Sequence, residues 1–139
     1  PRKGKQLVDK FMANLPAYAR LKEIVLQSMR KRGTLRGLDG RRLRVESEHS
    51  ALNFLLQSAG AIVMKKALVL LKHSLDESGV WYKFVANVHD EWQIESSSSD
   101  ADLVGRLGVQ AIVDAGLYFE MNCPLDGDYN VGLTWADTH

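Results

Sequence analysis

Five consecutive residues, Val88-His89-Asp90-Glu91-Trp92, set two carboxylates and an imidazole side by side between apolar neighbours. Carboxylate oxygens are the ligands that hard cations such as magnesium take, so a turn that presents Asp90 and Glu91 could hold a divalent metal. A turn-forming aspartate followed by a solvated strand accounts for the same tripeptide. A second group is basic: Arg30, Lys31, Arg32, Arg36, Arg41, Arg42 and Arg44 put seven cations within fifteen residues, with Asp39 the single acid among them. Guanidinium forks match phosphate oxygens two bonds at a time, so the stretch suits a polyanion, and a solvated basic face is the alternative. In a third group Asn53 and Gln57 stand at i and i+4, which puts both amides on one side of a helix. Such amides can donate to the acceptors that every base pair presents in the minor groove, testing duplex shape and not sequence, or they can simply face water. His49 precedes this pair by four residues.

These groups need elements to hold them. Leu7, Val8, Phe11, Met12 and Leu15 recur at helical spacing over residues 4–15, and Pro16, with no N–H to give, interrupts that ladder. A second helix is expected from about Ala17, with Leu21, Ile24, Val25, Ser28 and Met29 on its apolar stripe and Gly33 as its stop. Thr34 to Arg36 and Leu43 to Val45 read as the arms of a hairpin around Leu38-Asp39-Gly40. Ser47 is the expected N-cap of a long helix whose stripe is Leu52, Leu55, Leu56, Ala59, Ile62, Val63, Ala67, Leu70 and Leu71, ending near Gly79. From Val80 the period becomes two, which places Tyr82, Phe84, Ala86 and Val88 on one face, continued by Trp92 and Ile94 on a return strand after His89-Asp90. A helix from Asp100 to Tyr118 follows, whose Gly105, Gly108 and Gly116 each cost up to about 1 kcal/mol against alanine and so call for close packing. A last strand is expected from Asp128 to Leu133.

The order of elements gives an α+β fold, a small antiparallel sheet covered by helices, one of them long. With 139 residues the default is a single domain with one core. No run of about 18 consecutive apolar residues offers a membrane span and no apolar signal core follows the N-terminus, so a cytoplasmic protein without a membrane partner is expected. Cys123 is the only cysteine, which excludes an internal disulfide and any cysteine-rich zinc site. The net charge of +1 conceals a division: residues 1–50 carry +8 and residues 51–139 carry −7. One region is thus suited to a polyanion and the other to cations.

Taken together and in this order, the three groups resemble the C-terminal third of family A DNA polymerases, nearest the short bacteriophage replicative type. The likeness is carried by Ser50-Ala51-Leu52-Asn53-Phe54-Leu55-Leu56-Gln57-Ser58-Ala59-Gly60, by Gly37-Leu38-Asp39-Gly40-Arg41-Arg42, by Val88-His89-Asp90-Glu91 and by the ending Trp135-Ala136-Asp137-Thr138-His139. Gly4-Lys5-Gln6-Leu7, Phe11 and Pro16 extend it to nearly the whole chain. The resemblance implies a palm-like fragment, with residues 1–33 as a helical segment from the junction of fingers and palm. It implies that Asp90 is the motif C aspartate that binds catalytic Mg2+, with Glu91 beside it shaping the site and His89 at the primer terminus. Asn53, Gln57 and His49 match positions that face DNA, and Arg41 and Arg42 lie in the basic hairpin near primer-template.

No segment resembles motif A, which supplies the family's second metal-binding aspartate, nor the fingers helix of motif B that grips the incoming deoxynucleoside triphosphate. The resemblance therefore implies an expressed fragment or one part of a split polymerase, inactive until an N-terminal polymerase chain supplies the rest. Two other readings stay open: a non-catalytic DNA-binding or assembly module derived from a polymerase, and a metal-dependent nuclease using Asp90 and Glu91. Adjacent residues on one strand point to opposite faces, which counts against the nuclease.

Overall fold

The computed structural model describes residues 2–138, so Pro1 and His139, the last residue of the Trp135 to His139 match, lie outside the described residues. The chain divides into two compact units, residues 1–59 and residues 60–139. Its buried apolar side chains correspondingly form two clusters and not the single core expected.

In the first unit, α1 (Arg2–Asn14) ends where Leu15 leaves helical geometry, and α2 (Pro16–Arg32) starts with proline at its first position. A proline there gives up an N–H that has no helical partner anyway. Gly33 closes α2 at φ +69°, its N–H reaching Met29 O at 2.7 Å, and Arg30, Lys31 and Arg32 occupy the last turn, beside the negative end of the helix dipole. The buried stripe of α2 is Val25, flanked by Leu26 and Met29, whereas Leu21 and Ile24, expected on it, are exposed. Strands β1 (Leu35–Arg36) and β2 (Arg42–Leu43) pair antiparallel with Leu35 opposite Leu43 and Arg36 opposite Arg42. Both leucines are buried with Val25, Val45, Ala51 and Leu52, so the two arginines face outward.

The long helix α3 (Ala51–Ser78) begins four residues after Ser47. Ser47 is therefore not its N-cap: its hydroxyl accepts the Ser50 N–H at 3.3 Å within the turn that leads into the helix. Helix α3 is the one helix among the described residues long and apolar enough to cross a membrane by length and composition. Ala67, Leu71 and Leu75 along it are nevertheless fully buried against protein.

In the second unit, Leu71 and Leu75 cluster with Val104 and Ala111 of α4 (Ala101–Tyr118), and Tyr82, Trp92 and Ile94 pack on that cluster from the hairpin β3 (Tyr82–Val88) and β4 (Glu91–Ser96). A clamp ties the end of α3 to β3: the Tyr82 hydroxyl donates to Asp76 at 2.7 Å and Lys72 Nζ to the other oxygen at 2.5 Å. The Lys72 hydrogen bond, then that of Tyr82, holds the Asp76 carboxyl below the usual carboxylate range.

The strand expected from Asp128 to Leu133 is absent. Residues 121–134 run without a strand partner, and only a short helix, α5 (Trp135–Thr138), follows. Side chains from this stretch seat instead on the glycines of α4. The Tyr129 ring occupies the space a Cβ at Gly105 would need, Leu125 Cγ would lie 2.9 Å from a Cβ at Gly116, and the Tyr129 hydroxyl donates to Asp102 at 2.5 Å. The packing that α4's glycines called for thus comes from an irregular segment at Gly105 and Gly116, while Gly108 has nothing within 4 Å.

A sign reversal tests this. Gly105→Ala should destabilise the wild-type chain by about 1–3 kcal/mol through overpacking, yet stabilise a Tyr129→Ala chain by up to about 1 kcal/mol through helix propensity. Urea unfolding of the four proteins measures it.

Candidate functional site

The β3–β4 hairpin closes on two residues, His89 and Asp90, between the paired Val88 and Glu91. That register is produced by a bulge. Tyr82 lies opposite Ser96 and Phe84 opposite Ile94, but after the shift at Val85 the partners are Ala86 with Gln93, Asn87 with Trp92 and Val88 with Glu91. An extra residue on one strand reverses which face its later side chains take. Ala86 and Val88 therefore leave the face of Tyr82 and Phe84, where uniform alternation had put them, and share the other face with Gln93 and Glu91. Trp92 and Ile94 remain on the face that packs into the core.

Asp90 is exposed at the loop and makes no ion pair or hydrogen bond among the described residues. His89 stands at φ +54°, in the left-handed region that costs a residue with a Cβ about 1–2 kcal/mol, and its side chain is exposed. Glu91 is half-buried and takes a hydrogen bond from Gln93 Nε2 at 2.5 Å, while the Gln93 oxygen accepts from Thr138 of α5 at 3.2 Å. Gln93 is not singled out from sequence, and Thr138 enters there only within the family-matching ending Trp135 to His139. The signal for Gln93 was its i+2 spacing from Glu91, which puts both on one face of a strand; nothing in the sequence pairs it with Thr138. Asp137 anchors the start of the same short helix, its carboxylate accepting from both the hydroxyl and the N–H of Thr134 at 2.9 Å. The Thr134 hydroxyl bond is the main reason its carboxyl sits below the usual range.

In the first unit, Asn53 and Gln57 are exposed on α3 one turn apart, beside the buried Leu52. Leu56, expected in the stripe, is 54% exposed. His49 is exposed in the turn before α3 and not on the helix. Arg42 is exposed on β2, and Arg41 is exposed in the loop of that hairpin. Arg41 Nε donates to Asp39 Oδ2 at 2.6 Å while Asp39 Oδ1 accepts the Arg41 N–H at 3.2 Å. Arg30 is also engaged, gripping Glu48 through two bonds of 2.7 and 2.6 Å.

The donor set suits magnesium in part. Asp90 offers an exposed, uncommitted carboxylate on a two-residue loop, and magnesium is commonly held by one or two carboxylates together with water and phosphate oxygens. Among the described residues no group of three histidine, cysteine or acidic side chains converges, so an ion held at Asp90 would take its remaining ligands from elsewhere.

Residues 3–137 match the family model for DNA polymerase family A. The chain is 34% identical over 158 aligned residues to a DNA-directed DNA polymerase of Escherichia phage T7 and 33% identical over the same length to that of Enterobacteria phage T3. Each alignment takes in 99% of this chain and 22% of the relative, so the chain spans about a fifth of the length of these polymerases. Among solved structures, the POL domain of Pol1 from M. smegmatis, in complex with DNA primer-template and dNTP, superposes with a TM-score of 0.75 at 21% identity over 82% of this chain and 22% of that one. At that identity the likeness is one of fold, and it agrees with the α+β expectation.

The left-handed residue at the loop sets up a contrast between two substitutions. His89→Gly should leave stability unchanged or raise it by up to about 1 kcal/mol, because glycine adopts that φ freely. His89→Val should lower it by at least about 1 kcal/mol, because a β-branched side chain there is a steric outlier. Thermal unfolding distinguishes them.

Proposed function

The chain belongs to DNA polymerase family A, and on that premise we propose that it serves as part of a DNA-directed DNA polymerase, its palm portion, in template-dependent transfer of a nucleotide to a primer 3′ end. The observation that carries the reading is the exposed Asp90 carboxylate on a two-residue loop whose register the sheet fixes. Asp90 is the ligand this chain would give to Mg2+, and Mg2+, when bound, neutralises charge on the reacting phosphate oxygens and favours ionisation of the attacking hydroxyl. Glu91, held by Gln93, is assigned to shaping the base of the loop. His89, exposed beside Asp90, is assigned to the primer terminus.

The chain's own residues would also hold primer-template. Asn53 and Gln57 are neutral donors one turn apart and suit the minor-groove acceptors shared by all correct pairs, while Arg42 is free to meet phosphate. Arg41 spends its Nε on Asp39 but keeps its terminal amino groups for a second acceptor, as a guanidinium has five donors. His49 is assigned to the same DNA-facing surface. A family A polymerase also needs a second metal-binding aspartate and a triphosphate-gripping helix. With about a fifth of the relatives' length in hand, these are assigned to an upstream polymerase chain, and the isolated chain is expected to be inactive.

The test mixes this chain with, or fuses it behind, the upstream portion of a phage family A polymerase and follows primer extension with magnesium and all four dNTPs. Extension should require both parts and should fall at least about 100-fold in Asp90→Ala. Equal extension by wild type and variant removes the catalytic assignment.

A further inference from the structure

Seven cations crowd residues 30–44, but the fold does not leave them equivalent. Glu48 takes Arg30 and Asp39 takes Arg41. The β1–β2 register sets Arg36 directly across from Arg42. Arg44 follows Arg42 by two residues, and it is exposed between the buried Leu43 and Val45. Alternation therefore puts Arg36, Arg42 and Arg44 on one outward face of the hairpin, opposite the face that Leu35 and Leu43 bury. Among the described residues none of the three makes an ion pair, and Glu46, which the same alternation brings to that face, pairs with none of them.

Like charges directly opposite on neighbouring strands destabilise a sheet. A strand pair of only two residues on each side has few ladder bonds to offset that. The unit that carries this face, residues 1–59, has 13 Lys and Arg against 5 Asp and Glu, so its own acids do not neutralise it. An anion laid between opposed guanidiniums removes the repulsion and takes paired hydrogen bonds from each fork. Two arginines on the paired strands and a third just past the end of β2 suit a repeating anion better than a single one.

We propose that Arg36, Arg42 and Arg44 form a ladder that binds the phosphodiester backbone of duplex DNA, while Arg30 and Arg41 brace the scaffold beneath it through Glu48 and Asp39. The inference rests on the DNA-holding role proposed above and adds Arg36 and Arg44 to it. Contacts of this kind position the duplex and carry no sequence information.

Fluorescence anisotropy of a labelled short duplex, titrated with the full chain at about 50 and about 200 mM salt, tests the ladder. Each lost phosphate contact should flatten the slope of log affinity against log salt by about 0.9. Over that range the Arg36→Gln/Arg42→Gln/Arg44→Gln chain should therefore lose affinity about 40-fold less than wild type does, equally for unrelated duplex sequences. Without DNA at low salt, the same triple variant should melt at or above the wild-type temperature, since the opposed charges are gone. Asn53→Ala/Gln57→Ala should weaken binding and leave the slope unchanged. An unchanged slope in the triple variant overturns the ladder, and leaves the DNA-holding role standing if the amide variant still weakens binding. A lowered melting temperature together with lost binding also overturns it, because the arginines would then be structural. Failure of the wild-type chain to bind duplex overturns both.

Discussion

Where Asp90 points depends on how β3 pairs with β4, and that pairing depends on one extra residue. Without the shift at Val85, Asn87 would lie opposite Glu91 and the loop would hold Val88, His89 and Asp90. With it, Val88 meets Glu91 and the loop shortens to His89-Asp90. A two-residue connection demands a special backbone conformation, and the chain meets that demand by driving His89 to φ +54°. The tryptophan and isoleucine of β4 meanwhile pack against Leu71, Leu75 and Val104, so the hairpin is anchored by its apolar face while its tip stays in solvent. The Asp90 carboxylate at that tip is exposed to solvent. The backbone strain is confined to the residue beside it.

The same economy governs the basic half of the chain. Ion pairs between exposed groups contribute little to stability, roughly 0–1 kcal/mol, so Arg30 with Glu48 and Arg41 with Asp39 matter more for where they hold the turn and the helix end than for energy. Gly40 at φ +83°, with its N–H on Gly37 O at 2.9 Å, shapes the loop that Asp39 and Arg41 then close. What remains outward, among the described residues, is a set of guanidiniums in no ion pair, on the opposite side of the hairpin from Leu35 and Leu43.

Much of this was legible in the residues. The helix break at Pro16, the helix stops at Gly33 and Gly79, the turn at Leu38-Asp39-Gly40 and the hairpin loop at His89-Asp90 all follow from local backbone chemistry, and each is where it was expected. The α+β class and the family likeness were also readable. Apart from the cap expected at Ser47, which local turn bonding shifts, the departures depend on partners distant in sequence. The exposure of Leu21, Ile24 and Leu56 is set by what lies against each helix face, which helical periodicity alone does not reveal. The bulge at Val85 has no proline or glycine to mark it, and only pairing with β4 exposes it. Residues 128–133 alternate as a strand would, yet Tyr129 finds a seat on Gly105 and a hydrogen bond to Asp102 on a helix, and the segment joins neither sheet. At the candidate site the tripeptide itself stood out, whereas the brace from Thr138 through Gln93 to Glu91 depends on a bond between residues 45 apart in sequence, which no local pattern announces.

Metal binding by the Asp90 carboxylate is the role proposed for this loop. Substituting manganese for magnesium gives the most direct measurement: the 15N-labelled chain, assembled with the upstream polymerase portion and primer-template, is titrated with Mn2+ and its amide signals followed by NMR. Paramagnetic broadening should begin at residues 88–91, be reversed by excess Mg2+ and vanish in Asp90→Asn. Broadening that starts elsewhere, or that Asp90→Asn leaves untouched, would contradict the account.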